Sequence, residues 1–157
     1  GLLWVRPELL ERLRPMWVTW GQTRWAGTAR IYEDYGTRDL PEVLSLGDAL
    51  AFQGALNERR KEESYRSMFY EFMERVDATP GVEWRSPRTW EMGSILTAVE
   101  VTEEPVSQLS DRLFREEGIV LRPFPGEGLN TLRVSPNLMN GMGELERLLT
   151  LLESSTW

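Results

Sequence analysis

From about residue 57 onward, the apolar positions switch between helical and strand spacing. Tyr65, Met68, Phe69, Phe72, Met73 and Val76 recur at three- and four-residue steps. That spacing predicts one long helix with a single buried stripe. Pro80-Gly81 stops it. Val82 to Arg85 reads as a weak strand, and Ile95 to Val101 as a strand with Ile95, Val99 and Val101 on one face. Pro105 to Glu117 predicts a helix with Val106, Leu109, Leu113 and Phe114 turned inward and Gly118 closing it. Ile119 to Arg122 reads as a strand, and Pro123 to Gly128 as a turn-rich loop. Asn130 to Ser135 predicts a strand with Leu132 and Val134 on one face and Thr131, Arg133 and Ser135 on the other. Leu145, Leu148, Leu149 and Leu152 mark a last helix from Met142 to about Leu152. The order α-β-β-α-β-β-α predicts an α+β fold, a small antiparallel sheet covered by helices.

The first third is less regular. Leu2 to Val5 reads as a short buried strand. Pro7 opens a helical turn with Leu9, Leu10 and Leu13 on its apolar side, and Pro15 ends it. Residues 16–38 mix Trp17, Trp20, Trp25 and Tyr32 with Gly21, Gly27, Gly36 and several arginines. A loop of that length is usually functional or lies against a partner. Pro41 to about Ala55 predicts a helix carrying Val43, Leu44 and Leu50. Gly1 starts the chain within an apolar run, which leads us to expect that the remainder was cut away or is encoded apart.

Composition removes several chemistries. The chain of 157 residues has no cysteine and no histidine. That excludes disulfides, thiolate metal sites and thiol nucleophiles, and it removes the usual acid/base residue of neutral pH. Lys61 is the single lysine. Glu58, Arg59, Arg60, Glu62 and Glu63 surround it in sequence, a poor setting for desolvating an amine for Schiff-base chemistry. The net charge of −7 argues against nucleic-acid and membrane-surface partners. No stretch is long and apolar enough to span a bilayer.

Four segments carry a family resemblance. They are Gly1-Leu2-Leu3-Trp4-Val5-Arg6, Tyr35-Gly36-Thr37-Arg38-Asp39, Gly118-Ile119-Val120-Leu121-Arg122, and Leu132-Arg133-Val134-Ser135-Pro136-Asn137-Leu138-Met139-Asn140. In this order they resemble the C-terminal part of class V aminotransferases, fold-type I enzymes that use pyridoxal 5'-phosphate. The Gly-Thr-Arg-Asp form is most similar to isopenicillin N epimerase and its relatives. Met139 departs from the tyrosine usual there, and the loop Pro123 to Gly128 lacks the cysteine of the family's desulfurases. The cofactor lysine of the family would precede Gly1, and its pyridine-nitrogen partner would lie further upstream.

The resemblance implies a division of labour. Residues 1–55 would be the tail end of the large cofactor domain with an interface loop and connecting helix, and residues 56–157 the small α+β domain. Gly36 and Thr37 would contact the cofactor phosphate, whereas the ordinary alternative is a turn and helix cap by Thr37 or Asp39. Arg133 would grip the substrate α-carboxylate through its planar fork, against the alternative of a surface arginine. Arg38 would join it at the substrate, and Arg24 and Arg30 would steer an acidic ligand or make surface pairs. The implied protein is cytoplasmic and oligomeric, with residues 16–38 at a subunit interface. An N-terminal segment or companion chain would supply the lysine, so this chain would not be active alone. The rival expectation is a non-catalytic small domain that binds a protein or a ligand.

Overall fold

A computed structural model describes residues 3–16, 19–33, 36–37, 39–102, 104–126 and 128–153. The chain divides into two compact units, residues 1–50 and 51–157.

In the first unit, Pro7–Arg12 forms a 3-10 helix, a short α1 spans Gly21–Arg24, and a second 3-10 turn covers Ala29–Tyr32. The expected strand at Leu2 to Val5 is absent among the described residues. Leu3 and Trp4 are in irregular backbone and are 84% and 77% exposed. An apolar run makes a strand only where a neighbouring strand completes its hydrogen bonds. The Tyr32 hydroxyl lies 2.8 Å from the Leu10 carbonyl and 3.0 Å from that of Leu13, tying the two 3-10 segments together. Helix α2, Leu40–Ala55, begins in this unit and continues into the second. Its apolar residues Leu40, Val43, Leu44, Leu50 and Phe52 are exposed.

The second unit contains α3 (Glu58–Ala78), β1 (Val82–Trp84), β2 (Thr97–Val101), α4 (Val106–Glu117), β3 (Arg122–Gly126), β4 (Leu129–Val134) and α5 (Met142–Glu153). The four strands form one antiparallel sheet in the order β1-β2-β4-β3. The α+β class with a small helix-covered sheet is therefore what the chain adopts. Alternate positions of the strands face the helices: Val82 and Trp84, Val99 and Val101, Leu132 and Val134. Met68, Phe69, Phe72 and Val76 of α3, Val106, Leu109 and Leu113 of α4, and Leu145, Leu148, Leu149 and Leu152 of α5 complete the core.

Phe69 is fully buried and lies edge-on to Tyr70, Trp84 and Trp90, with ring centroids 5.1, 5.4 and 5.7 Å away. Such edge-to-face pairs add about 0.5–1.5 kcal/mol each beyond area burial. Asn57 caps α3 by accepting from the Arg60 N–H at 3.2 Å, and Gly118 ends α4 in the left-handed region at φ 68°.

Two expectations are corrected here. Phe114 is 60% exposed, and Ser110 takes the inward position instead. The stripe Val106, Leu109, Ser110, Leu113 keeps the 3.6-residue period, which carries Phe114 off the buried face. Strand β3 also begins where the expected strand ended. Ile119 to Leu121 lie outside regular structure, and Arg122 continues into Pro123-Phe-Pro-Gly126, expected as a loop, to pair with β4. Two prolines are tolerated because β3 is an edge strand and their missing N–H groups cost no ladder bond on the open side.

Candidate functional site

The helices cover one face of the sheet, and side chains on the other face form the candidate site. The register places Glu83 opposite Glu100, Glu100 opposite Thr131, Ala98 opposite Arg133, and Arg133 opposite Arg122. Because side chains alternate along a strand, these residues share the face away from the core. Phe124, the partner of Thr131, joins them.

The charges on this face are unevenly matched. Both glutamates pair with one arginine: Arg85 Nε lies 2.5 Å from Glu100 Oε2, and Arg85 Nη2 lies 2.8 Å from Glu83 Oε2. Arg133 is half-buried, and its buried Nε has no hydrogen-bond partner among the described residues. An unpaired buried donor of this kind costs about 1–3 kcal/mol unless a ligand or water satisfies it. The guanidinium carbons of Arg122 and Arg133 lie 5.9 and 6.0 Å from the Phe124 ring centroid. Arg133 therefore stands on the open face of a rigid sheet, as the alternation of residues 130–135 predicted, and Arg122 stands beside it.

Sequence reasoning missed Arg122 as a site residue. Its signal was the alternation Arg122, Phe124 against Pro123, Pro125, readable once the Pro-rich segment is taken as an edge strand.

The loop residues fare differently. Gly36 has φ +141°, a backbone conformation that side-chain-bearing residues rarely adopt, and a Cβ there would meet nothing within 4 Å. Asp39 caps α2, its Oδ1 accepting from the Glu42 N–H at 3.3 Å. Thr37 is exposed, and the described cap bond to Glu42 comes from Asp39. Arg38, Tyr35 and Trp17 lie outside the described residues. Arg24 and Arg30 stack on Trp25, their guanidinium carbons 4.7 and 3.9 Å from its ring. Trp20 is fully exposed. Gly36 and Thr37 belong to the first unit and Arg133 to the second.

Lys61 is half-buried, and its Nζ donates to Gln53 Oε1 at 2.9 Å. Asn140, in the segment that follows Arg133, is engaged in building the start of α5. Its Oδ1 accepts from the Asn137 N–H at 2.9 Å, and its Nδ2 donates to Glu144 Oε1 at 3.3 Å. Glu144 Oε2 in turn accepts from the Gly141 N–H at 2.9 Å, the reach-back half of a capping box. Met139 is 90% exposed. A cleft between the end of α4 and α5 includes Glu117, Ser135, Asn140, Glu144 and Arg147, but Arg147 pairs with Glu117 at 2.5 Å and Glu144 accepts from Asn140 and the Gly141 N–H.

Asn130 is another residue the sequence did not single out. Its Oδ1 accepts from the Val106 N–H at 2.9 Å, and its Nδ2 lies 2.6 Å from the Val101 carbonyl and 2.8 Å from that of Glu104. It holds β4, the strand carrying Arg133, against the start of α4. Among the described residues no group of acidic side chains is disposed to hold a metal ion, and no helix is long and apolar enough to cross a membrane. No family model matches the chain, and no curated protein matches it.

Proposed function

We propose that this chain supplies the substrate-carboxylate arginine and a cofactor-phosphate turn to a pyridoxal-phosphate enzyme of the class V aminotransferase type, acting on an amino acid by epimerisation, elimination or transamination. The observation that carries the reading is the buried, unpartnered Nε of Arg133 on the open face of the sheet. A guanidinium presents a planar fork that matches a carboxylate with two parallel hydrogen bonds, each charge-assisted. Binding there would satisfy the orphaned donor and fix the orientation of the amino acid about its Cα.

The residues of this chain fit part of the cofactor. Gly36 gives the backbone freedom that a phosphate-binding turn needs, and the exposed Thr37 offers a hydroxyl beside it. Arg38 is proposed beside them as a second substrate contact. Lys61 does not fit the aldehyde, because its amine is held by Gln53 on the flank of α3. The amine and the partner of the pyridine nitrogen are therefore proposed to lie outside these residues, on a further segment or companion chain. When bound, the cofactor stabilises negative charge at the substrate Cα; the protein binds, orients and excludes water.

The test uses the native assembly that contains this chain. Its intact mass and absorbance should report bound pyridoxal phosphate and a lysine-bearing segment. Arg133→Lys keeps the charge and loses the fork, so amino-acid affinity should fall about tenfold, on the order of 1.4 kcal/mol, with cofactor content unchanged. Unchanged affinity removes Arg133 from the site. An assembly without cofactor that still binds amino acids through Arg133 would leave the non-catalytic binding module as the function.

A further inference from the structure

Arg122 and Arg133 are direct cross-strand partners in the β3–β4 hairpin, so both side chains leave the sheet on its open face. Like charges directly opposite one another destabilise a sheet. Opposite charge normally relieves such a pair, and this face shows how: the opposed Glu83 and Glu100 share Arg85. Those are the acids on the open face among the described strand residues, and Arg85 engages both. Arg133 keeps a buried Nε without a partner among the described residues, and no described carboxylate forms an ion pair with Arg122. Phe124, one step along the same face and 42% exposed, borders both cations, with each guanidinium carbon about 6 Å from its ring centroid. The result is two adjacent cations, with no ion-pair partner among the described residues, bordering a small apolar surface.

We infer that Arg122 and Arg133 form a two-point receptor for a dicarboxylate, Arg133 holding one carboxylate, Arg122 the other, and Phe124 packing against the aliphatic spacer. A single carboxylate would neutralise one arginine and leave its neighbour repelled; a dianion neutralises both. The inference rests on the reading of Arg133 as a carboxylate residue. It narrows the substrate to an amino acid whose side chain carries a second acid.

The experiment titrates the ¹⁵N-labelled chain with glutarate and, separately, with butyrate, following the arginine Nε–H resonances. Glutarate should shift those of both Arg122 and Arg133, and butyrate that of Arg133 alone. Glutarate should bind about tenfold more tightly, the effect of one additional charge-assisted contact. Arg122→Gln should reduce glutarate affinity to the butyrate level and leave butyrate binding unchanged. Arg122 is exposed, so the sheet should persist, and the far-UV circular dichroism spectrum checks this. Arg122→Glu, a reversal at the same position, should weaken glutarate further.

Equal affinity for the two acids, or a glutarate preference that survives both substitutions at Arg122, overturns the inference. So does absence of binding by either acid. If in addition Arg133→Gln abolishes binding of both acids, the dicarboxylate inference alone has failed. If Arg133→Gln leaves both unchanged, the carboxylate role of Arg133 has failed as well.

Discussion

Asn130→Ala should weaken the second unit more than any other change at a polar side chain. Three hydrogen bonds disappear: one to the Val106 N–H and two to the carbonyls of Val101 and Glu104. Pro105 occupies the N-cap of α4 and gives no side-chain cap, so Asn130 provides the cap from 24 residues away. Each bond contributes about 1 kcal/mol net, and the Val106 N–H, on a fully buried residue, would be left without a partner. Because Asn130 is itself half-buried, water recovers part of the loss, and the expected destabilisation is about 2–3 kcal/mol. For a chain of this size the unfolding entropy is about 0.3 kcal/mol per kelvin, which translates to a fall in Tm of roughly 7–10 °C. Asn130→Asp gives a sharper test. It keeps an acceptor for Val106 but points a carboxylate at two carbonyls, so it should be at least as harmful as alanine. Urea denaturation followed by far-UV circular dichroism gives the free energies, and amide exchange at Val106 reports the cap directly. An alanine variant weakened by less than about 1 kcal/mol, or an aspartate variant milder than alanine, would refute the capping argument.

Other expectations follow from the packing and from the two loop assignments. Phe69→Ala removes the ring at the centre of the Tyr70, Trp84 and Trp90 cluster and should cost about 3–5 kcal/mol by chemical denaturation; a loss under 1 kcal/mol would mean that the cluster collapses around the gap. Thr37→Val should lower retention of pyridoxal phosphate by the native assembly while α2 keeps its stability, because Asp39 provides the cap. Asp39→Ala should do the reverse, costing about 1 kcal/mol of helix stability. Mixed with pyridoxal phosphate and then reduced with borohydride, this chain alone should give no stoichiometric adduct on Lys61 by peptide mapping, since Nζ is engaged by Gln53. A full adduct there would move the covalent centre onto this chain and end the assignment of the lysine to another segment.

The elements that were legible in the sequence are those whose periodicity is local. Helix α3 announces itself through Met68, Phe69, Phe72 and Val76, and these four are its buried residues. Strand β4 shows Leu132 and Val134 inward and Arg133 outward, as its alternation required. The failures come from elements whose state depends on a distant neighbour. Leu3 and Trp4 read as a buried strand, yet no described strand lies beside them, and they are exposed. Apolar residues on α2 satisfied a helical period and are exposed as well, since propensity forms the helix without deciding what covers it. Segment 123–126 read as a loop because two prolines are poor strand formers, and only the edge position in the sheet makes them acceptable.

The same distinction governs the candidate site. Arg133 was visible because its own strand decides which way it points. Arg122 was not, because its significance depends on the β3–β4 register that sets it opposite Arg133. No feature of Leu121-Arg122-Pro123 in isolation separates an anion-binding arginine from a solvated one. At Thr37 the competition was between a cap and a phosphate contact, two roles that need the same hydroxyl. The cap to the Glu42 N–H comes from two residues away, from Asp39, which the sequence alone did not single out over Thr37. Asn130 shows the principle most strongly: a polar residue opening a strand looks like turn chemistry, yet all three of its bonds reach at least 24 residues away in sequence. Charge and hydrogen-bond sites are completed by non-local partners, so sequence pattern reveals the residue that projects but not the one that answers it. On the open face of this sheet no described acid answers Arg122 or Arg133, and on that observation the proposed anionic ligand rests.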